Sequence, residues 1–144
     1  LAQNNSSPIP MDRFRPNLVV SGAAAWSEDL WGSMTCNDLE LKVVKPCSRC
    51  KIPTIDQATG RTAAPSGADD EGGGPGSAEP NKTLKAFRSG AALAAVDPFF
   101  AAPKRKNDVF FGQNLVHFAP GASVSVGDRF ACAGKVAEGG CVVS

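Results

Sequence analysis

The sequence has a single histidine, a net charge of +1, and no run of about 18 apolar residues. Each shortage removes a class of function. A charge so near zero gives no general electrostatic reason to expect nucleic acid or an anionic membrane as partner. Without a long apolar run, no part of this chain reads as a membrane span. His117 has neither a second histidine nor a nearby Asp or Glu, so it reads as structural rather than catalytic. The start, Leu1 to Ser7, lacks a positive segment, an apolar segment and an initiator Met, so it carries no recognisable leader. The chain reads as a piece of a longer protein. Its five cysteines, Cys36, Cys47, Cys50, Cys132 and Cys141, are odd in number and lack a secreted-scaffold rhythm. Reduced thiols in an intracellular compartment are the expectation.

What is present is more specific. At 144 residues with 42% hydrophobic content, the chain can bury one real core, while 15 Gly and 11 Pro demand many turns. The densest chemistry lies in Lys45-Pro46-Cys47-Ser48-Arg49-Cys50-Lys51-Ile52-Pro53, with two thiols, one guanidinium and cationic lysines inside nine residues. Positive neighbours favour a thiolate, the form that attacks or binds a soft metal. Prolines on both sides restrict the backbone, so the stretch predicts a shaped loop rather than a helix. Four readings stay open on spacing alone. A structural zinc site needs a second ligand pair, and Cys132 and Cys141 stand nine apart. A redox pair needs the first thiol at a helix start, where a strand precedes this loop. The thiols could be inert and buried, or one of them could be a single metal-ligating thiolate.

Along the chain, residues 1–10 read as a linker or arm. Arg13 and Arg15 alternate with Phe14, which in an extended chain puts both guanidinium groups on one side. Leu18-Val19-Val20 predicts a short buried strand, and Ser27 predicts the cap of one helical turn before Glu28 and Asp29. Leu39-Glu40-Leu41-Lys42-Val43 alternates as a half-buried strand feeding the Cys loop. Residues 54–60 predict a short strand and a turn closed by Gly60. Residues 62–78 carry no apolar pattern and read as a mobile insertion, as do residues 91–107 with a basic hairpin tip at Lys104-Arg105-Lys106. Pro80 to Gly90 carries helix signals, with Leu84 and Phe87 on one face. Residues 109–118 predict a strand with Gly112 inside it, and residues 122–133 a closing hairpin. Residues 134–144 read as a frayed tail. The fold class expected is mainly β with α decoration, one domain over residues 11–133.

Several linked motifs carry a resemblance. Arg13-Phe14-Arg15-Pro16-Asn17, Glu28-Asp29-Leu30-Trp31, Cys47-Ser48-Arg49-Cys50 with Asp56-Gln57-Ala58-Thr59-Gly60, Glu79-Pro80 before Leu84, Phe111-Gly112 and Val126-Gly127-Asp128 fall in the order seen in MOSC domains. The chain resembles the C-terminal part of the amidoxime-reducing component family, most of all its plant and algal members. That resemblance implies a MOSC-type β-barrel, present as an incomplete fragment because the family's N-terminal portion supplies further cofactor contacts. It also implies a molybdenum cofactor (molybdopterin) and two-electron reduction of small N-hydroxylated substrates such as amidoximes and hydroxylamines, with nitrite reduction to nitric oxide in some members. Electrons would come from cytochrome b5 and its NADH-dependent reductase. By matched position, Cys50 is the molybdenum ligand and catalytic centre, Ser48 and Arg49 lie beside the cofactor, Arg15 reaches its phosphate, and Asn114 is a further cofactor-side residue. A cytoplasmic or mitochondrial outer-membrane location is implied. The rival readings are the C-terminal domain of a molybdenum cofactor sulfurase, which has a similar Cys-x-Arg-Cys, and a non-catalytic zinc or scaffold module.

Overall fold

The computed structural model describes residues 9–61 and 79–134, and the backbone of residues 141–143. The expected insertion at 62–78, the first eight residues of the arm, and residues 135–140 of the tail lie outside the described residues. The chain forms two compact units, one from Leu1–Asn17 with Ser48–Phe111 and one from Leu18–Cys47 with Gly112–Ser144.

The second unit carries most of a five-stranded sheet of order β3-β2-β1-β4-β5. Its strands are β1 (Trp31–Cys36), β2 (Leu39–Ser48), β3 (Phe110–His117), β4 (Phe130–Gly134) and β5 (Cys141–Val143). β1 pairs antiparallel with β2 and with β4, and β4 pairs antiparallel with β5. The mainly β expectation holds; among the described residues the sheet is open, with β3 and β5 at its edges. The β1–β2 connection is a two-residue turn, because Cys36 faces Leu39. Asn37 takes it with φ of 50°, a left-handed conformation that asparagine tolerates better than most residues. Leu39 and Leu41 are buried while Glu40 and Lys42 face out, as alternation requires. They pack with Trp31, Met34, Cys36, Phe130 and Cys132, and Leu18, Val20, Val43 and Leu115 cover the cluster. Each such aliphatic or aromatic side chain stabilises the fold by roughly 1.5–3 kcal/mol on burial.

Four expectations fail here. Leu18-Val19-Val20 forms no strand; Leu18 and Val20 pack on the core from an irregular segment and Val19 is exposed. Ser27–Leu30 is a 3-10 turn, but it is preceded by Trp26 at φ of 67° and has no side-chain cap. Residues 122–129 make a turn rather than a hairpin strand, closed by the Ser125 N–H donating to the Asp128 carboxylate at 2.8 Å. Val126 is fully exposed there. The tail is not frayed throughout, since Cys141–Val143 pairs along β4.

The first unit is built around α1 (Asn81–Arg88) and α2 (Gly90–Leu93). The Glu79 carboxylate accepts from the Thr83 N–H at 3.1 Å and its hydroxyl at 2.9 Å, satisfying an otherwise orphaned donor of the first turn. Ser89 ends α1 in an extended conformation and caps α2 by accepting from the Ala92 N–H. Leu93 and Phe100 pack with Phe110, and Phe99 meets the rings of Phe100 and Phe110 edge-on. Leu93 and Phe100, within the expected insertion at 91–107, are therefore core residues, although most of that stretch is exposed. Lys104 and Arg105 lie in a 3-10 turn rather than a hairpin tip. Arg105 stacks its guanidinium 3.8 Å from the Phe99 ring centroid and donates to the Phe99 carbonyl.

Candidate functional site

The Cys loop begins where β2 runs out. Pro46 is buried in the strand, Cys47 is half-buried, and Ser48, the last strand residue, is exposed. Arg49 then donates its backbone N–H to the Val109 carbonyl at 2.7 Å. The Cys50 carbonyl accepts from the Asn81 amide at 2.9 Å. The Lys51 carbonyl accepts from the Thr54 N–H at 3.0 Å and the Thr54 hydroxyl at 2.6 Å, which winds Ile52–Thr54 into a 3-10 turn. Three consecutive residues are thus pinned through their own backbone groups. The Cys50 side chain itself is exposed, with the Ile52 N–H directed at its Sγ at 3.5 Å. An accessible thiol on an immobilised backbone suits a ligand that must hold one direction.

The Arg13–Arg15 segment meets this loop. Met11–Phe14 is a 3-10 turn, so the two arginines do not share a side as an extended chain would have it. Arg13 is buried, donates Nε–H to the Pro53 carbonyl at 3.0 Å, and lies 3.5 Å from the Asp56 carboxylate. Asp56 in turn closes the 56–60 turn, its Oδ1 accepting from the Ala58 N–H, the Thr59 N–H and the Thr59 hydroxyl. Hydrogen bonds from the Thr59 backbone and then its side chain hold this carboxyl below its ordinary 3.8, with Arg13 adding a smaller pull. Residues 54–60 are consequently a turn with an isolated bridge at Ile55 rather than a strand.

Arg15 is exposed at φ of 51° and ψ of 50° before Pro16. A residue preceding proline is normally extended, so this is a costly conformation held by its own N–H donating to the Asp12 carbonyl at 2.9 Å. Arg49 donates from its guanidinium to the Phe14 carbonyl at 2.6 Å. Phe14 is buried and stacks on Phe111, ring centroids 4.0 Å apart. The structure therefore links Arg49 and Cys50 to the segment bearing Arg15. Asn114 belongs to the other unit, exposed on β3 two residues after Gly112, whose φ is 76°.

Asn81 was not singled out by the sequence. It is fully buried on the same α1 face as Leu84 and Arg88, and a polar residue on that stripe is the one signal that marks it. Among the described residues, no three His, Cys, Asp or Glu side chains converge as metal ligands. No helix among them is long and apolar enough to cross a membrane.

The motifs along this loop are those of a known domain. Residues 1–131 match the MOSC domain, and the chain belongs to that family. Mitochondrial amidoxime-reducing component 1 of Homo sapiens is 36% identical over 120 residues, covering 83% of this chain and 29% of that relative. Its counterpart in Mus musculus is 35% identical over the same shares. Molybdenum cofactor sulfurase 2 of Culex quinquefasciatus is 39% identical over 66 residues, 45% of this chain and 9% of the relative. The chain thus spans less than a third of the length of the curated relatives it matches.

Proposed function

We propose that this MOSC domain is the cofactor-holding part of a molybdenum-dependent reductase of N-hydroxylated compounds. The observation that carries this reading is the exposed Cys50 thiol on a backbone pinned at residues 49, 50 and 51. The donor set fits the molybdenum cofactor. A soft sulfur ligand suits a thiol-rich metal centre whose other ligands come from the pterin, and Cys50 is the exposed thiol of this loop. The alternative, a zinc or scaffold module, would need a second ligand pair beside Cys47 and Cys50. When bound, the cofactor supplies the two-electron reduction: amidoxime plus two electrons and two protons gives amidine plus water.

The chain's own residues bind and orient. Cys50 anchors the metal, and Ser48 stands exposed beside it. Arg15 offers an exposed guanidinium suited to a phosphate. Arg49 holds the Arg15 segment to the Cys loop through Phe14. Asn114 contributes a further cofactor contact. The electron donors are cytochrome b5 and its NADH-dependent reductase, with nitrite as an additional substrate and a mitochondrial location in keeping with the names of the relatives. The longer match to amidoxime-reducing components than to the sulfurase favours the reductase over cofactor sulfuration.

The test uses the protein at its natural full length. Metal analysis should find molybdenum with pterin, and benzamidoxime reduction should vanish in Cys50→Ala while Cys47→Ala retains much of it. Equal activity in Cys50→Ala and wild type, or zinc at one per chain without molybdenum, would reject the reading.

A further inference from the structure

We infer that Asn81, the first residue of α1, is a positioning residue for Cys50: it fixes the thiol-bearing residue's carbonyl and thereby the direction of the Sγ atom. The inference deepens the proposed function and rests on Cys50 being the metal ligand. Three observations carry it. Asn81 is completely buried, and its Nδ2 donates to the Cys50 carbonyl at 2.9 Å across 31 residues of sequence. The Cys50 carbonyl is anchored by this distant side chain, whereas Arg49 is anchored by the Val109 backbone and Lys51 by Thr54 within its own 3-10 turn. The other half of the amide, Oδ1, is buried with no hydrogen-bond partner among the described residues.

The third point separates positioning from packing. Burying an amide with half its capacity unmet is unfavourable, and a leucine, larger but branched in the same way, would present an apolar group on the face shared with Leu84 without that cost. What leucine cannot do is donate to the Cys50 carbonyl. Rotation about the Cys50 backbone torsions would swing both that carbonyl and the side chain, so holding the oxygen restrains the sulfur. The helix behind Asn81 is itself anchored, with Arg88 donating to the Phe110 carbonyl at 3.2 Å. The anchor therefore stands on a fixed base.

The test compares wild type, Asn81→Leu and Asn81→Ala, with Phe100→Leu as a control that loosens the core of the same unit. In the metal-free protein, hydrogen exchange at the Ile52 and Thr54 amides should accelerate about fivefold to tenfold in Asn81→Leu, the equivalent of one lost hydrogen bond. Exchange in α2 should be unchanged. In the molybdenum-loaded protein, the Mo(V) electron paramagnetic resonance g-values should shift in Asn81→Leu and hold in Phe100→Leu, because those values follow the metal–sulfur geometry. Asn81→Ala, which leaves room for a water to replace the donor, should fall between wild type and Asn81→Leu, and it carries the test if the leucine variant does not fold. Wild-type exchange at both amides together with wild-type g-values would overturn the inference. Absence of molybdenum from the wild-type protein would instead overturn the metal-ligand reading, while the exchange measurement still decides whether Asn81 holds the loop.

Discussion

Arg49 donates its guanidinium to the carbonyl oxygen of Phe14 at 2.6 Å, with its guanidinium carbon 5.6 Å from the centroid of the Phe14 ring. One residue after each partner of this bond stand Cys50 and Arg15. The segments bearing the proposed metal ligand and the proposed phosphate-binding cation are thereby tied together across 35 residues of sequence, alongside the bond from Arg13 to the Pro53 carbonyl.

Arg49→Lys keeps the charge but loses the planar fork that reaches Phe14. A stability loss of about 1–3 kcal/mol is expected from the broken charged hydrogen bond, read by chemical denaturation. Unchanged stability would mean that the bond contributes nothing to the fold.

The Asp56 turn should be sensitive to acid. Its folded carboxyl titrates below 3.8, so the ionised form contributes stability above that value and the contribution disappears as pH falls through the lowered folded value. Thermal melts of Asp56→Asn and wild type should differ at neutral pH and converge in the acid range below 3.8. A gap that stays constant with pH would remove the carboxylate from the account.

Gly90 has no room for a side chain, because an added Cβ would overlap the backbone carbonyl of Arg105. Gly112 has open space but a φ of 76°. Gly90→Ala should therefore cost about 1–3 kcal/mol by forcing backbone movement, and Gly112→Ala about 1–2 kcal/mol by conformational strain alone. Paired urea titrations distinguish them, since only the first should also perturb the 103–108 segment in spectra of the folded protein.

Phe100 is 1% exposed and Val126 fully so. Phe100→Ala should lose about 3–5 kcal/mol, while Val126→Ala should stay within about 0.5 kcal/mol of wild type. A mild effect at Phe100 would contradict its place in the core and restore residues 91–107 to the status of an insertion.

Much of the sheet and loop was legible because local rules agree with the tertiary result there. The β2 alternation, the helix from residue 81, the strand through Gly112 and the Cys loop at a strand end all follow from side-chain period and turn chemistry. β1 escaped because its pairing with β4 shifts register between Trp31 and Ser33. The irregularity leaves Trp31 and Met34 buried three residues apart, which no period of two displays. Leu18 and Val20 misled in the opposite way: apolar residues pack on a core without belonging to a ladder.

By itself the chain's chemistry determined that a thiol and an arginine would occupy one shaped loop, because composition, proline placement and ordered motifs are local properties. Only the folded structure decided that Arg13 turns inward while Arg15 faces out, that Leu93 and Phe100 join the core, and that Asn81 holds the Cys50 carbonyl. Those outcomes depend on which distant backbone groups need a hydrogen-bond partner once water is excluded, and sequence spacing carries no record of that need.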